Sequence, residues 1–204
     1  YVCSAHPLDD VDAINLTPDQ QAFLKDIPDA MFRTAVRDFM VNTQFRRDYW
    51  VKGPRPLSPI EVQEVLRNQA IVLVSDSADV AMTTKGALGD ATLHESVYRP
   101  VLDVLADHKP KTLAQIEKAN TGSGPNLAQV AEAAMILVGN GHGQPVQDEA
   151  ATAAAKVKTD KLNAYLMDKA RGTNDLAYLA SPLTAGGIGV PRLSQLFLLA
   201  ESQG

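Results

Sequence analysis

The chain has 204 residues, of which 45% are apolar and 21% charged, with 13 Gly and 12 Pro. These values exclude a disordered or collagen-like polypeptide and allow one large domain or two small ones. The single cysteine, Cys3, excludes an internal disulfide framework, and the four scattered histidines, His6, His94, His108 and His142, offer no structural zinc spacing. No apolar run approaches the roughly 18 residues of a membrane span, so the expected compartment is the cytoplasm. The chain opens on Tyr1 with no signal-peptide pattern after it, which points to a piece of a longer polypeptide.

The first segment is acidic, with His6, Asp9, Asp10 and Asp12 crowded together. Thr17, Pro18 and Gln20 then place a capping hydroxyl, a first-turn proline and a capping-box amide in order, so a short helix is predicted up to Pro28. Asp29 caps the next helix. There Phe32, Val36 and Phe39 recur at i, i+4 and i+7, which predicts a buried stripe with Arg33 and Arg37 outside it. After Pro54 and Pro56 break the chain, Ser58, Pro59 and Glu61 start a helix with Val62, Val65 and Leu66 on its inner face. Three short strands follow, at residues 71–74, 80–84 and 91–94, the last two as a hairpin.

From Glu95 the pattern changes to helices with short connectors. Val97, Val101, Leu102 and Leu105 mark one; Thr112 and Gln115 start a second, and Asn126 a third that carries Leu127, Val130, Ala134, Leu137 and Val138. A glycine turn at residues 139–143 and a short extended piece come next, which is the element order of a winged helix. A long helix bearing Leu162, Tyr165 and Leu166 runs to Gly172. An extended or hairpin piece then spans 178–190, and a last helix starts at Pro191 with Leu193, Leu196, Phe197 and Ala200 inside. The expected architecture is α+β and mainly helical, with a small helical and β domain over residues 1–94 and a winged-helix-like domain over 95–204.

Few residues carry a chemical signature. Residues 185–189, Ala-Gly-Gly-Ile-Gly, lack the strand, spacing and lysine of a phosphate loop and read as a turn. The His6, Asp9, Asp10 and Asp12 cluster lacks the glycine and terminal glutamate of a calcium loop. No serine sits in a nucleophile elbow, and Cys3 reads as incidental. Residues 126–148 contain no Lys or Arg, so a third helix there cannot neutralise DNA phosphates.

Charge is more informative. Residues 33–55 hold six cations (Arg33, Arg37, Arg46, Arg47, Lys52 and Arg55) against two acids (Asp38 and Asp48), a local +4 within a total of −5 that leaves the rest of the chain at −9. Such asymmetry marks a contact surface. Phe45, Tyr49 and Trp50 lie among these cations, either as packing anchors or as part of that surface.

Residues 38–53, reading Asp-Phe-Met-Val-Asn-Thr-Gln-Phe-Arg-Arg-Asp-Tyr-Trp-Val-Lys-Gly, resemble the methyltransferase regulatory domain that follows the catalytic domain in a group of bacterial S-adenosylmethionine-dependent methyltransferases. Residues 112–119, 127–138, 178–183 and 195–200 are similar to the winged-helix region that follows it in relatives resembling protein-lysine methyltransferases. The resemblance implies a noncatalytic regulatory or substrate-recognition part, with no cofactor bound in this chain and S-adenosylmethionine bound in the catalytic domain. The implied partners are that catalytic domain, in the same polypeptide, and a protein substrate, with neither nucleic acid nor membrane. The expected interaction surface is Arg33, Arg37, Arg46, Arg47, Tyr49, Trp50, Lys52 and Arg55. An independent winged-helix binding or scaffold protein is the alternative.

Overall fold

A computed structural model describes residues 1–122 and 124–203 and divides the chain into two compact units, Tyr1–Gln144 and Pro145–Gly204. The fold is α+β and mainly helical, with its strands confined to small sheets.

The first unit runs β1 (Cys3–Ser4), a 3-10 turn at Pro7–Asp10, α1 (Asp12–Asn15), α2 (Pro18–Lys25), α3 (Ala30–Met40), β2 (Asp48–Tyr49) and α4 (Pro59–Asn68). It continues through β3 (Ala70–Leu73), β4 (Thr83–Gly86), β5 (Gly89–Thr92), α5 (Glu95–Leu105), β6 (Lys111–Thr112), α6 (Leu113–Ala119), α7 (Leu127–Gly139) and the start of β7 (Gly143–Val146). Helix starts follow the local chemistry: Thr17 with Gln20, Ser58 with Glu61, Thr112 with Gln115 and Asn126 with Gln129 each close a reciprocal capping box. Each box satisfies two backbone donors that a helix N-terminus would otherwise leave open.

One apolar core spans the first unit. Val11 and Ile14 from its start, Ile71 and Leu73 from β3, Val101 and Leu105 from α5, Ile116 from α6, and Val130 and Leu137 from α7 belong to it. Residue 94, the expected domain boundary, caps α5 inside this unit. Strands β6, β3 and β7 form a sheet in that order, so the middle strand precedes the three helices in sequence. The hairpin of β4 and β5 pairs Thr83 with Thr92 and Gly86 with Gly89. It starts three residues later than the expected 80–84 strand, because Asp76 accepts a hydrogen bond from the Ala78 amide and winds Ser77–Asp79 into a 3-10 turn.

Two residues lock the N-terminal segment onto this hairpin. Asn15 is buried; its amide donates to the Leu8 and Val11 carbonyls at 2.7 and 2.9 Å, and its Oδ1 accepts from the Ala87 amide at 2.8 Å. Gly86 lies so close to α1 that a Cβ there would sit 2.1 Å from the Ile14 carbonyl oxygen.

The second unit holds α8 (Glu149–Lys169), β8 (Tyr178–Ser181), β9 (Gly186–Gly189) and α9 (Arg192–Gln203). The glycine run, expected as a turn, instead forms strand β9, paired antiparallel with β8, so residues 178–190 take the hairpin form of the two that were open. Leu162 and Tyr165 of α8 are exposed, and so are Leu193, Phe197 and Ala200 of α9, which corrects the inner faces expected for both helices. On α9 the inward positions are Gln195 and Leu199. Gln195 wins its place by bonding: its Nε2 donates to the Leu176 and Val190 carbonyls at 2.7 and 2.8 Å, tying together the ends of the hairpin. Arg192 donates to the Ala170 and Arg171 carbonyls and so caps the end of α8.

Gly86→Ala is therefore expected to force α1 off the hairpin and lower stability by about 1–3 kcal/mol. A thermal melt of the purified chain checks this, and an unchanged midpoint would refute the close approach.

Candidate interaction surface

The residues singled out from the sequence lie on α3, on β2 and on the irregular segments around them. Helix α3 turns the opposite way from its apolar periodicity. Phe32, Ala35 and Phe39 face solvent, Phe39 at 88% exposure, while Arg33, Val36, Arg37 and Met40 are half-buried. The expected buried stripe of Phe32, Val36 and Phe39 is thus corrected, and the cause is polar. Arg37 Nε donates to Asp12 Oδ1 at 3.0 Å and its Nη2 to the Asp9 carbonyl, and Arg33 donates to the Ile27 carbonyl. These contacts draw the guanidinium face inward and leave the aromatic face out. Helix α4 shows a milder version: Leu66 packs on the core, whereas Val62 and Val65 remain exposed.

Arg46 anchors the next segment. It pairs with Asp38 of α3 at 2.5 Å and with Asp48 of β2 at 3.0 Å, and its guanidinium lies 4.6 Å from the centre of the Tyr1 ring. Its side chain is only 26% exposed and that of Asp48 only 10%. Burial opposes the charge of Arg46, but the hydrogen bonds and charges of Asp38 and Asp48 outweigh it and hold the guanidinium above its ordinary pKa. Around this pair β1 and β2 match Cys3 with Tyr49 and Ser4 with Asp48. Tyr1 meets Trp50 edge to face at 6.0 Å.

The cations of residues 33–55 thus divide by role. Arg33, Arg37 and Arg46 are committed to internal partners, and Arg55 pairs with Glu61 at 3.0 Å. Arg47 and Lys52 have no ion pair among the described residues, and they are exposed together with Tyr49, Trp50 and Phe45, the last at 93%. The pairing of Arg46 with Asp38 and Asp48 lies within the 33–55 window and was one of the two roles open in sequence for Arg46 and Arg47, whereas the partners of Arg37, Asp9 and Asp12, lie outside it.

The acidic N-terminal cluster lines a cleft of about 350 Å³ beside Arg37 and Arg46. Its groups bond to one another. Tyr1 and the Ser4 amide both donate to Asp10, at 2.8 and 2.7 Å, and Ser4 Oγ donates to Asp9 at 2.7 Å. No group of three metal-ligating side chains converges among the described residues. Elsewhere His142 Nδ1 lies 3.0 Å from Ser75 Oγ, and no carboxylate joins that pair among the described residues. The arrangement is a clasp with an exposed aromatic and basic flank.

Residues 1–52 match the family described as "Predicted methyltransferase regulatory domain". The matched segment contains the clasp, α3 and β2, and it ends at Lys52. The whole chain is also 37% identical, over 203 residues, to an uncharacterized protein of Synechocystis sp. (strain ATCC 27184 / PCC 6803 / Kazusa). All of this chain aligns with it, and the chain spans 40% of that relative's length. No solved structure matches the chain. No helix among the described residues is long and apolar enough to cross a membrane.

Two predictions separate clasp from flank. Arg46→Ala leaves the largely covered Asp48 carboxylate without its cation and is expected to cost about 1–3 kcal/mol, whereas Arg47→Ala stays within about 0.5 kcal/mol of the parent. Paired denaturation curves read the difference, and equal losses would overturn the division of roles.

The Tyr1 phenol supplies a pH signature. Burial, then the hydrogen bond to Asp10, then the charge of Asp10 push its pKa up to about 12 from 10.0, against a smaller opposing effect of Arg46. Because the raised pKa favours the neutral phenol in the folded state, its contribution is complete below pH 10 and is lost as pH rises towards 12. Carbon NMR of labelled tyrosine is expected to show Tyr1 titrating near 12, and Asp10→Asn to bring it back towards 10. A phenol titrating at its ordinary value in the parent would show the clasp open.

Proposed function

We propose that the chain is the noncatalytic regulatory or substrate-recognition part of an S-adenosylmethionine-dependent methyltransferase, whose cofactor binds elsewhere in the same polypeptide. The observation that carries this reading is the match of residues 1–52 to a predicted methyltransferase regulatory domain, in a chain that spans 40% of a relative's length. The chemistry supports it. The described residues offer a polar clasp whose groups satisfy one another and exposed apolar faces, a design suited to holding a neighbour in place. The chain contributes position: its partners are the methyl-transferring domain and a protein that accepts the methyl group, and its place is the cytoplasm.

A second reading, an independent winged-helix binding or scaffold protein, draws support from α5, β6, α6, α7 and β7, which follow one another as in that fold. The exposed residues of α7 argue against its use on duplex DNA. Ala128, Gln129, Glu132 and Met135 include no cation, so this face cannot release counterions from phosphates.

Calorimetric titration separates the readings. The chain alone is expected to bind no S-adenosylmethionine, while the full-length protein binds one equivalent. Micromolar binding by the chain, or none by the full-length protein, would sink the regulatory reading.

A further inference from the structure

We infer that the outward face of α3, together with residues 45–52, is the surface on which the methyl-transferring part of the same polypeptide docks, through an apolar patch fringed by carboxylates; this rests on the regulatory reading above. The apolar half of the surface is Phe32 and Phe39, seven residues apart on one face of α3, with Phe45 beyond the helix end. Exposed aromatic side chains grouped in this way mark a binding site more often than a free surface. The inward arginines of α3 make the face firm, since Arg37 holds the helix to Asp9 and Asp12 while Arg46 ties residues 46–48 back to Asp38. Little conformational entropy is then left to lose on docking.

Charge selects the occupant. Arg47 and Lys52 flank the aromatics with no ion pair among the described residues, on a chain whose charge outside residues 33–55 is −9. A symmetric dimer through this face would set these cations against their own copies, which is repulsive. A complementary partner instead presents an apolar centre with Asp or Glu around it. The relative extends well beyond the span of this chain, 40% of its length, so a second part of the same polypeptide is available to supply it.

Thiol labelling tests the docking. Phe45→Cys in a Cys3→Ser background is made in the 204-residue chain and in the full-length protein, with Phe39→Cys as a second reporter. Both thiols are expected to react with a maleimide at least about ten-fold more slowly in the full-length protein, as tethered docking at millimolar effective concentration implies. Arg47→Glu with Lys52→Glu is expected to restore the fast rate. Equal rates in the two proteins overturn the docking surface. Protection that appears in the 204-residue chain alone and grows with its concentration also overturns it, because the occupant is then a second copy. S-adenosylmethionine binding, measured on the same full-length samples, separates the two claims: binding without protection overturns the docking surface alone, and protection without binding overturns the regulatory reading.

Discussion

Pairing between arginine and carboxylate decides how residues 1–52 are arranged. Arg37 reaches back to Asp9 and Asp12, and Arg46 spans Asp38 and Asp48, so two guanidinium groups connect the N-terminal turn, α3 and β2. A guanidinium suits this work because it is always charged and presents several donors in a fixed plane. Its aliphatic stem covers apolar surface while its head bonds. The inner face of α3 is therefore built from Arg33, Val36, Arg37 and Met40, and the phenylalanines are displaced outward. Strands β1 and β2, of two residues each, could not hold together by their own ladder, and Arg46 stacked on Tyr1 supplies the cross-link.

The inversion of α3 shows where sequence reading succeeds and where it stops. Local signals were legible: Thr17, Ser58, Thr112 and Asn126 each cap a helix, because a capping box needs only residues within one turn. The β8–β9 hairpin, the mainly helical fold and most buried positions of α5 and α7 were also readable: α5 is amphipathic, and α7 is apolar along most of its length with Gln129 and Glu132 marking its outer side. What failed was the choice of inner face where two faces were both plausible. The Phe32 and Phe39 stripe of α3 has the right periodicity for burial, but on the competing face Arg37 finds partners more than twenty residues away in Asp9 and Asp12, and Arg33 bonds the Ile27 carbonyl just ahead of the helix. Gln195 on α9 is the same lesson in the second unit: a polar residue takes the buried position because Leu176 and Val190 offer it two carbonyls. Gly86 and Asn15 carried no signal in sequence, because each acts through a contact about seventy residues away.

Glycine and asparagine at these two positions bear on function through rigidity. Asn15 satisfies three backbone groups from two separate stretches of chain, and buried polar groups of this kind are costly to leave unpaired. Gly86 lets the backbone of β4 touch that of α1 where any side chain would intervene. Together they fasten residues 1–52 to elements beyond them, so the matched segment shares a core with α5, α6 and α7.

The sheet carries that dependence one step further. Helices α5, α6 and α7 bring β6 and β7 with them, but the strand between these two is β3, which comes from before the helices. Ala70 and Ile71 pair with Thr112 and Lys111, and the Val74 amide donates to the His142 carbonyl just ahead of β7. Without β3, strands β6 and β7 would be left as two separated edges with open backbone groups. The helices therefore obtain their sheet from the segment that follows α4, and the same strand contributes Ile71 and Leu73 to the core that Val11 and Ile14 enter from the N-terminus. The clasp at residues 1–52 is joined to that core through α1 and its contacts with the β4–β5 hairpin. Helix α3 contributes no buried residue to that core and is held to the N-terminal turn by Arg37.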